Sequence, residues 1–210
     1  MNHKRNDLMS QVLIRNLALR HMNAYYCKTR QEAIDKVLEL IPPASTISWG
    51  GSMTIRDMGL VKALHESGAY VLLDRDLEKD PAAVRKMYHD ALSADYYLSS
   101  VNAMSQKGEI VNIDGNGNRL AAITYGPEHV IFVVGMNKVV ATLEDAISRA
   151  RNQAAPVNSQ RFSLSTPCQK DGICHDCLKE DGICSYIQVM RNSRPAFRHT
   201  VILVDEDLGY

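Results

Sequence analysis

Four of the five cysteines, Cys168, Cys174, Cys177 and Cys184, fall within the stretch P-C-Q-K-D-G-I-C-H-D-C-L-K-E-D-G-I-C, while Cys27 stands alone. Cys174 and Cys177 are two residues apart inside a turn, a spacing that lets both thiolates face one metal. Asp-Gly-Ile-Cys occurs twice, at 171–174 and 181–184, and each glycine can take a positive φ to wrap backbone around a centre. The C-x5-C-x2-C-x6-C pattern contains neither the paired C-x2-C of a zinc ribbon nor the C-x2-C-x2-C run of bacterial ferredoxins. Zinc and an iron–sulfur cluster therefore both remain open, beside disulfides and free thiols. Thiols this dense in a reducing compartment point to a metal centre. His175, between two cysteines, is expected to point outward.

Three further groups could handle an anion. Gly50-Gly51-Ser52-Met53-Thr54 leaves a predicted strand and opens a helix, so its small residues let backbone amides approach an anion while Ser52 and Thr54 add hydroxyl donors. It is neither a P-loop nor a dinucleotide fingerprint. Asp114-Gly115-Asn116-Gly117-Asn118-Arg119 resembles a calcium loop only superficially. Its sixth position is Arg119 rather than Gly and its twelfth is Tyr125 rather than Glu, so it reads as a turn. Glu109, Asp114 and Arg119 are close enough in sequence to line a polar site. Asn137-Lys138 follows a strand, where ligands of open α/β sheets bind, so Lys138 is a candidate anion contact.

The elements that must position these groups alternate. Leu8, Val12, Leu13, Leu17 and Leu19 mark an amphipathic first helix, with Leu8, Val12 and Leu19 expected in the core. A short strand at 23–27 precedes a capping box, Thr29 to Glu32, that starts a helix through Leu40. Strands are predicted at 45–49, 70–73, 96–98, 110–113 and 130–134. Those at 45–49, 70–73, 110–113 and 130–134 are expected to share one sheet, with 70–73 covered on both faces. Helices are predicted at 58–67, from Pro81 to about Leu92, and from Thr142 to about Arg151. This order makes an α/β domain with a mostly parallel sheet over residues 1–156. Residues 157–210 read as a cysteine-rich extension packed on that domain, ending in a strand at 200–204 at the sheet edge.

With 24 Lys+Arg against 24 Asp+Glu in 210 residues, there is no electrostatic motive to grip nucleic acid or an anionic membrane. Arg191, Arg194 and Arg198 are the only local support for a nucleic-acid binder. No apolar run approaches the ~20 residues of a membrane helix, and the charged first 22 residues lack a secretory h-region. A cytoplasmic protein is expected.

Taken in order, S-W-G-G-S-M-T, S-V-N-A-M, G-E-I-V-N-I-D-G-N-G-N-R, Y-G-P, V-G-M-N-K-V-V and T-P-C with its three following cysteines resemble the LUD-domain (lactate utilisation) family, in its subgroup with a cysteine-rich C-terminus. The resemblance spans nearly the whole chain, through the closing D-L-G-Y. It implies a three-layer sandwich similar to ribose-phosphate isomerases and CoA transferases. The implied ligand positions are Gly51, Ser52, Thr54, Asn102, Asp114, Asn118, Arg119, Asn137 and Lys138, with Glu109 as base or nucleophile. Two functions follow. One is an accessory, in lactate or related organic-acid metabolism, that binds an anionic metabolite and a metal centre beside an iron–sulfur oxidoreductase. The other is a stand-alone isomerase or transferase acting on a phosphate, carboxylate or CoA-linked metabolite. A second copy of the chain is a further candidate partner. Fold alone does not fix the chemistry.

Overall fold

The computed structural model describes residues 2–210. Its helices are α1 (Asn2–Leu19), α2 (Arg30–Leu40), α3 (Met53–Asp57), α4 (Leu60–Ser67), α5 (Pro81–Asp90), α6 (Asn118–Thr124), α7 (Leu143–Arg149), α8 (Ala155–Ser159) and α9 (Cys168–Asp171). Its strands are β1 (Asn23–Cys27), β2 (Thr46–Trp49), β3 (Val71–Leu73), β4 (Tyr96–Ser99), β5 (Ala103–Ser105), β6 (Ile110–Asp114), β7 (His129–Gly135), β8 (Val139–Val140), β9 (Tyr186–Met190) and β10 (His199–Val204). None of the described helices is long and apolar enough to cross a membrane.

Six strands form one parallel sheet in the order β1-β10-β7-β4-β2-β3. Strand β7 lies near its centre, and its period-two side chains divide between two cores. Val130, Phe132 and Val134 pack with Leu13 and Leu17 of α1 and with Ile123 of α6. Ile131 and Val133 pack on the opposite face with Val37 of α2, Ile55 of α3 and Leu64 of α4. Helices therefore cover both faces, as a parallel sheet requires. A second sheet, ordered β8-β5-β6-β9, joins the first core through Met104 and Ile110. Its other side, Ala103, Val111 and Ile113, packs against Ala146 of α7 and Ala150.

Several local expectations are met. Thr29 Oγ1 accepts from the Glu32 amide at 3.2 Å, although the Glu32 carboxylate accepts from the Lys28 amide rather than from the helix, and the helix expected from Thr142 starts there, on a capping box with Asp145. Others need correction. Strand β6 is not in the parallel sheet; it pairs antiparallel with β5 and with β9, 72 residues further along the chain from Asp114 to Tyr186. Strand β3 is an edge strand with Val71 exposed, and β10 is an interior strand between β1 and β7. In α1 the buried pair is Leu13 and Leu17, while Leu8, Val12 and Leu19 face outward. The helix expected at 58–67 starts at Leu60, because Met58 closes the preceding α3 and Gly59, whose φ of +92° suits glycine, separates the two helices. Helix α7 runs on through a wider turn at Ala150–Ala154 into α8, where Pro156 has no N–H to give to the preceding turn.

Candidate functional site

The parallel strands all end on one side of the sheet, and their exit loops build the site. After β2 the chain turns outward to β3, whereas after β4 it turns the other way toward β7, so a crevice opens between the ends of β2 and β4. Ligands of open α/β sheets bind at such switch points. Here the crevice is a cleft of about 680 Å³ lined by Gly51–Thr54 after β2, Arg75 after β3, Ser99–Asn102 after β4 and Lys138 after β7. Strand β6 of the second sheet contributes Asp114, and α6 contributes Asn118 and Arg119. The chain end contributes Gly209 and Tyr210.

Glycines set how closely these loops approach. A Cβ on Gly51 would lie 2.8 Å from Arg75 Nη2. Gly209 adopts φ +59°, and a Cβ there would lie 2.5 Å from Thr54 Oγ1 and 3.4 Å from Lys138 Nζ. The closing tail is thereby seated on α3 and on the lysine. It is tied there by Leu208, whose carbonyl accepts from Thr54 Oγ1 at 3.4 Å and whose amide donates to Asn137 Oδ1 at 3.2 Å.

Lys138 is only 3% exposed. Its Nζ donates to Thr54 Oγ1 at 2.8 Å and to Ser100 Oγ at 3.0 Å, its only hydrogen-bond partners among the described residues, and neither is charged. Burial, then the guanidiniums of Arg149 and Arg119, push its pKa down to about 7.

The arginines divide into committed and available groups. Arg119 spends both Nη atoms on Asn112 Oδ1 at 2.9 Å, Asn102 Oδ1 at 3.3 Å and the Ile113 carbonyl at 2.5 Å, and its Nε faces Asp114 at 3.7 Å. It organises the wall and contributes field rather than free donors. Arg56 pairs with Asp76. Arg75 lies over the Tyr88 ring, 5.0 Å from its centroid, and donates to the phenol oxygen at 2.6 Å through Nη1. Arg161 bridges the Gly51 carbonyl, Asn158 Oδ1 and Tyr210 Oη through Nη1 alone, at 3.0 to 3.1 Å. Its Nη2 and Nε have no hydrogen-bond partner among the described residues.

The cleft thus brings together Gly51, Ser52, Thr54, Asn102, Asp114, Asn118, Arg119 and Lys138. Asn137 stays outside and anchors the tail. Glu109 also stays outside. It is paired with Arg20 and bonded to the Ser105 hydroxyl. Burial would raise its pKa, but the Ser105 hydrogen bond and the Arg20 charge outweigh that and hold it below the usual carboxylate range. Arg75, Arg161, Ser100 and Tyr210 were not among the expected residues. Arg75 follows a strand end directly, and Tyr210 closes the D-L-G-Y tail, so both left a signal.

All five cysteines are free thiols. Cys168, Cys174, Cys177 and Cys184 supply a donor set suited to zinc or an iron–sulfur cluster. Burial first, and then the nearby thiols of Cys174, Cys168 and Cys177, push the pKa of Cys184 up to about 11. Among the described residues, however, no three such donors are arranged around a single point as a metal site. The same segment reaches the cleft through Glu180–Ile183, where a Cβ on Gly115 would meet Ile183 Cα at 3.1 Å.

The model of the LUD domain matches residues 10–204. A DUF162 family protein from Deinococcus radiodurans is 12% identical, with a TM-score of 0.54 over 94% of this chain and 96% of that one. Ribose 5-phosphate isomerase A from Neisseria gonorrhoeae is 16% identical, with a TM-score of 0.35 over 54% of each chain. No curated protein matches.

Proposed function

The chain belongs to the LUD domain family, which relates to lactate utilisation, and from that premise we infer that its cleft binds a small metabolite carrying a carboxylate or phosphate. The observation that carries this reading is that Arg161 and Lys138 line one cleft at the strand ends, neither paired with a carboxylate. Charge-assisted hydrogen bonds to an oxyanion complete the donors that Arg161 leaves unused. The setting proposed is cytoplasmic lactate or related organic-acid metabolism, as an accessory to an iron–sulfur oxidoreductase. The stand-alone enzyme reading loses Glu109 as its base, since that carboxylate is held by Arg20 away from the cleft. Calorimetric titration with inorganic phosphate and with pyruvate tests the binding. Arg161→Ala is expected to weaken it by roughly 10- to 100-fold, the loss of one charged hydrogen-bonding group; unchanged affinity rejects the assignment.

The second part of the reading is a metal centre on Cys168, Cys174, Cys177 and Cys184. Its support is the donor type and the influence of the other three thiols on Cys184. Loading would have to draw the thiols together, and metal binding supplies folding free energy to a segment with little apolar surface. It would also fix the Glu180–Ile183 wall of the cleft. Anaerobically purified protein is expected to carry metal by elemental analysis, and Cys177→Ser to lose both that metal and the protease resistance after Pro156. A metal-free parent whose protection matches the variant leaves only structural thiols.

A further inference from the structure

The chemistry of Lys138 goes a step beyond anion binding and rests on that reading. An ammonium has three hydrogens to place, whereas a neutral amine has two. Thr54 and Ser100 hydroxyls, at 2.8 and 3.0 Å, take two hydrogens. The neutral amine then satisfies its donors and keeps a lone pair, while the ammonium would bury a charge with no carboxylate beside it. The two hydroxyls are themselves set in place. Thr54 lies under the Gly209 turn and donates to the Leu208 carbonyl, and Ser100 directly follows β4. The amine is buried from bulk water yet forms part of the cleft wall, in the same cavity as Arg75 and Arg161.

We propose that Lys138 Nζ is a nucleophile that forms an imine with the carbonyl carbon of a small aldehyde or 2-oxo acid, whose carboxylate or phosphate Arg161 and Arg75 hold. The nitrogen lone pair attacks the carbonyl carbon, the C=O π pair moves to oxygen, and a proton passes from nitrogen to that oxygen to give a carbinolamine. The C–O bond then breaks as the nitrogen pair forms C=N, the leaving hydroxyl takes up a proton and departs as water, and the hydrogen still on nitrogen is released as a proton to give the neutral imine, so no net proton is consumed. No oxidant or reductant is consumed. Ser100 Oγ–H has no acceptor among the described residues and is free to hydrogen-bond the carbonyl oxygen. A lysine desolvated beside other cations is the arrangement in which amine nucleophiles are activated, and the depression of its pKa to about 7 agrees with this.

The test incubates the full chain with pyruvate, and separately with glyceraldehyde 3-phosphate, in the presence of cyanoborohydride. This reagent reduces an imine to a stable secondary amine, and peptide mass mapping locates it. A single modified peptide carrying Lys138 is expected. Below pH 7 the trapping rate should rise about tenfold per pH unit and then level off, following the neutral fraction of the amine. Lactate, which has no carbonyl, should leave no adduct and slow trapping by pyruvate. Lys138→Arg and Lys138→Met should each abolish the adduct, and a circular dichroism spectrum like the wild type's with one cooperative melting transition reports that each variant is folded. Modification spread evenly over surface lysines, or none at Lys138 while calorimetry reports bound pyruvate, overturns the nucleophile and leaves the anion site standing. If neither pyruvate nor phosphate binds, both readings fall together.

Discussion

Lys138→Met is expected to make the protein more stable at neutral pH while removing its amine chemistry. The folded-state pKa of about 7 lies below the 10.5 of an ordinary lysine. Between these values the unfolded chain binds a proton that the folded chain does not, so stability rises with pH across that window. The contribution is complete above pH 10.5 and lost as pH falls through about 7, which makes wild-type protein at pH 7 carry a penalty on the order of several kcal/mol. Methionine removes that penalty. Against it stand the hydroxyls of Thr54 and Ser100, which lose their donor at about 1 kcal/mol each. A net gain of roughly 1–3 kcal/mol follows, or a Tm about 5 °C higher for a chain of this size. Denaturation between pH 6 and 9 checks both parts: the wild type should gain stability with pH and the variant should not. A variant that is less stable throughout, with the wild-type pH slope intact, would show that the lysine is charged and accommodated in the fold.

Arg198→Ala is expected to be the most destabilising single substitution near the site. Arg198 is buried, and its guanidinium donates to the carbonyls of Ala122 at 2.9 Å, Ile123 at 2.6 Å and Thr124 at 3.3 Å, with Nε on Pro127 at 2.8 Å. Those of Ala122, Ile123 and Thr124 are the last carbonyls of α6, which helical geometry leaves without donors, and a cation there also suits the helix dipole. Alanine orphans several buried acceptors at once, at a cost of about 3–5 kcal/mol and a Tm fall of roughly 10 °C. Helix α6 carries Asn118 and Arg119 into the cleft, so anion affinity should fall too. Lysine, with a single point of charge, should restore only part of the loss. A cost under about 1 kcal/mol would mean that water replaces the guanidinium. The arginine is therefore a helix cap, and it no longer supports a nucleic-acid surface.

What the sequence made legible was local. The N-cap at Thr29, the helix start at Thr142, the unbroken apolar run of β7 and the strand-to-loop position of Ser52, Thr54 and Lys138 are all written within a few residues of one another. What it concealed depends on distant partners. Nothing in Ile110–Ile113 announces that its neighbours are β5 and β9 rather than the parallel sheet, because an apolar strand reads alike in either setting. In α1 apolar residues occur on both faces, and only the position of β7 and β10 decides that Leu13 and Leu17 are the buried pair. Lys138 could be named as an anion contact. Its low pKa could not be read, because the burial comes from Gly209, Thr54 and Ser100, which are far away in sequence. Arg161 was hidden for the same reason: it reaches the cleft only because α8 brings Asn158 beside Tyr210.

The central claim is that the cleft at the carboxyl ends of the parallel strands holds an anionic metabolite, and amide hydrogen exchange of the wild-type chain with and without pyruvate or phosphate tests it most directly. Bound anion should slow exchange in three separated stretches, 50–54, 113–119 and 208–210, which meet only in that cleft. Segments away from the cleft should be unchanged. Protection confined to other segments, or absent at ligand concentrations where calorimetry reports saturation, would contradict the account.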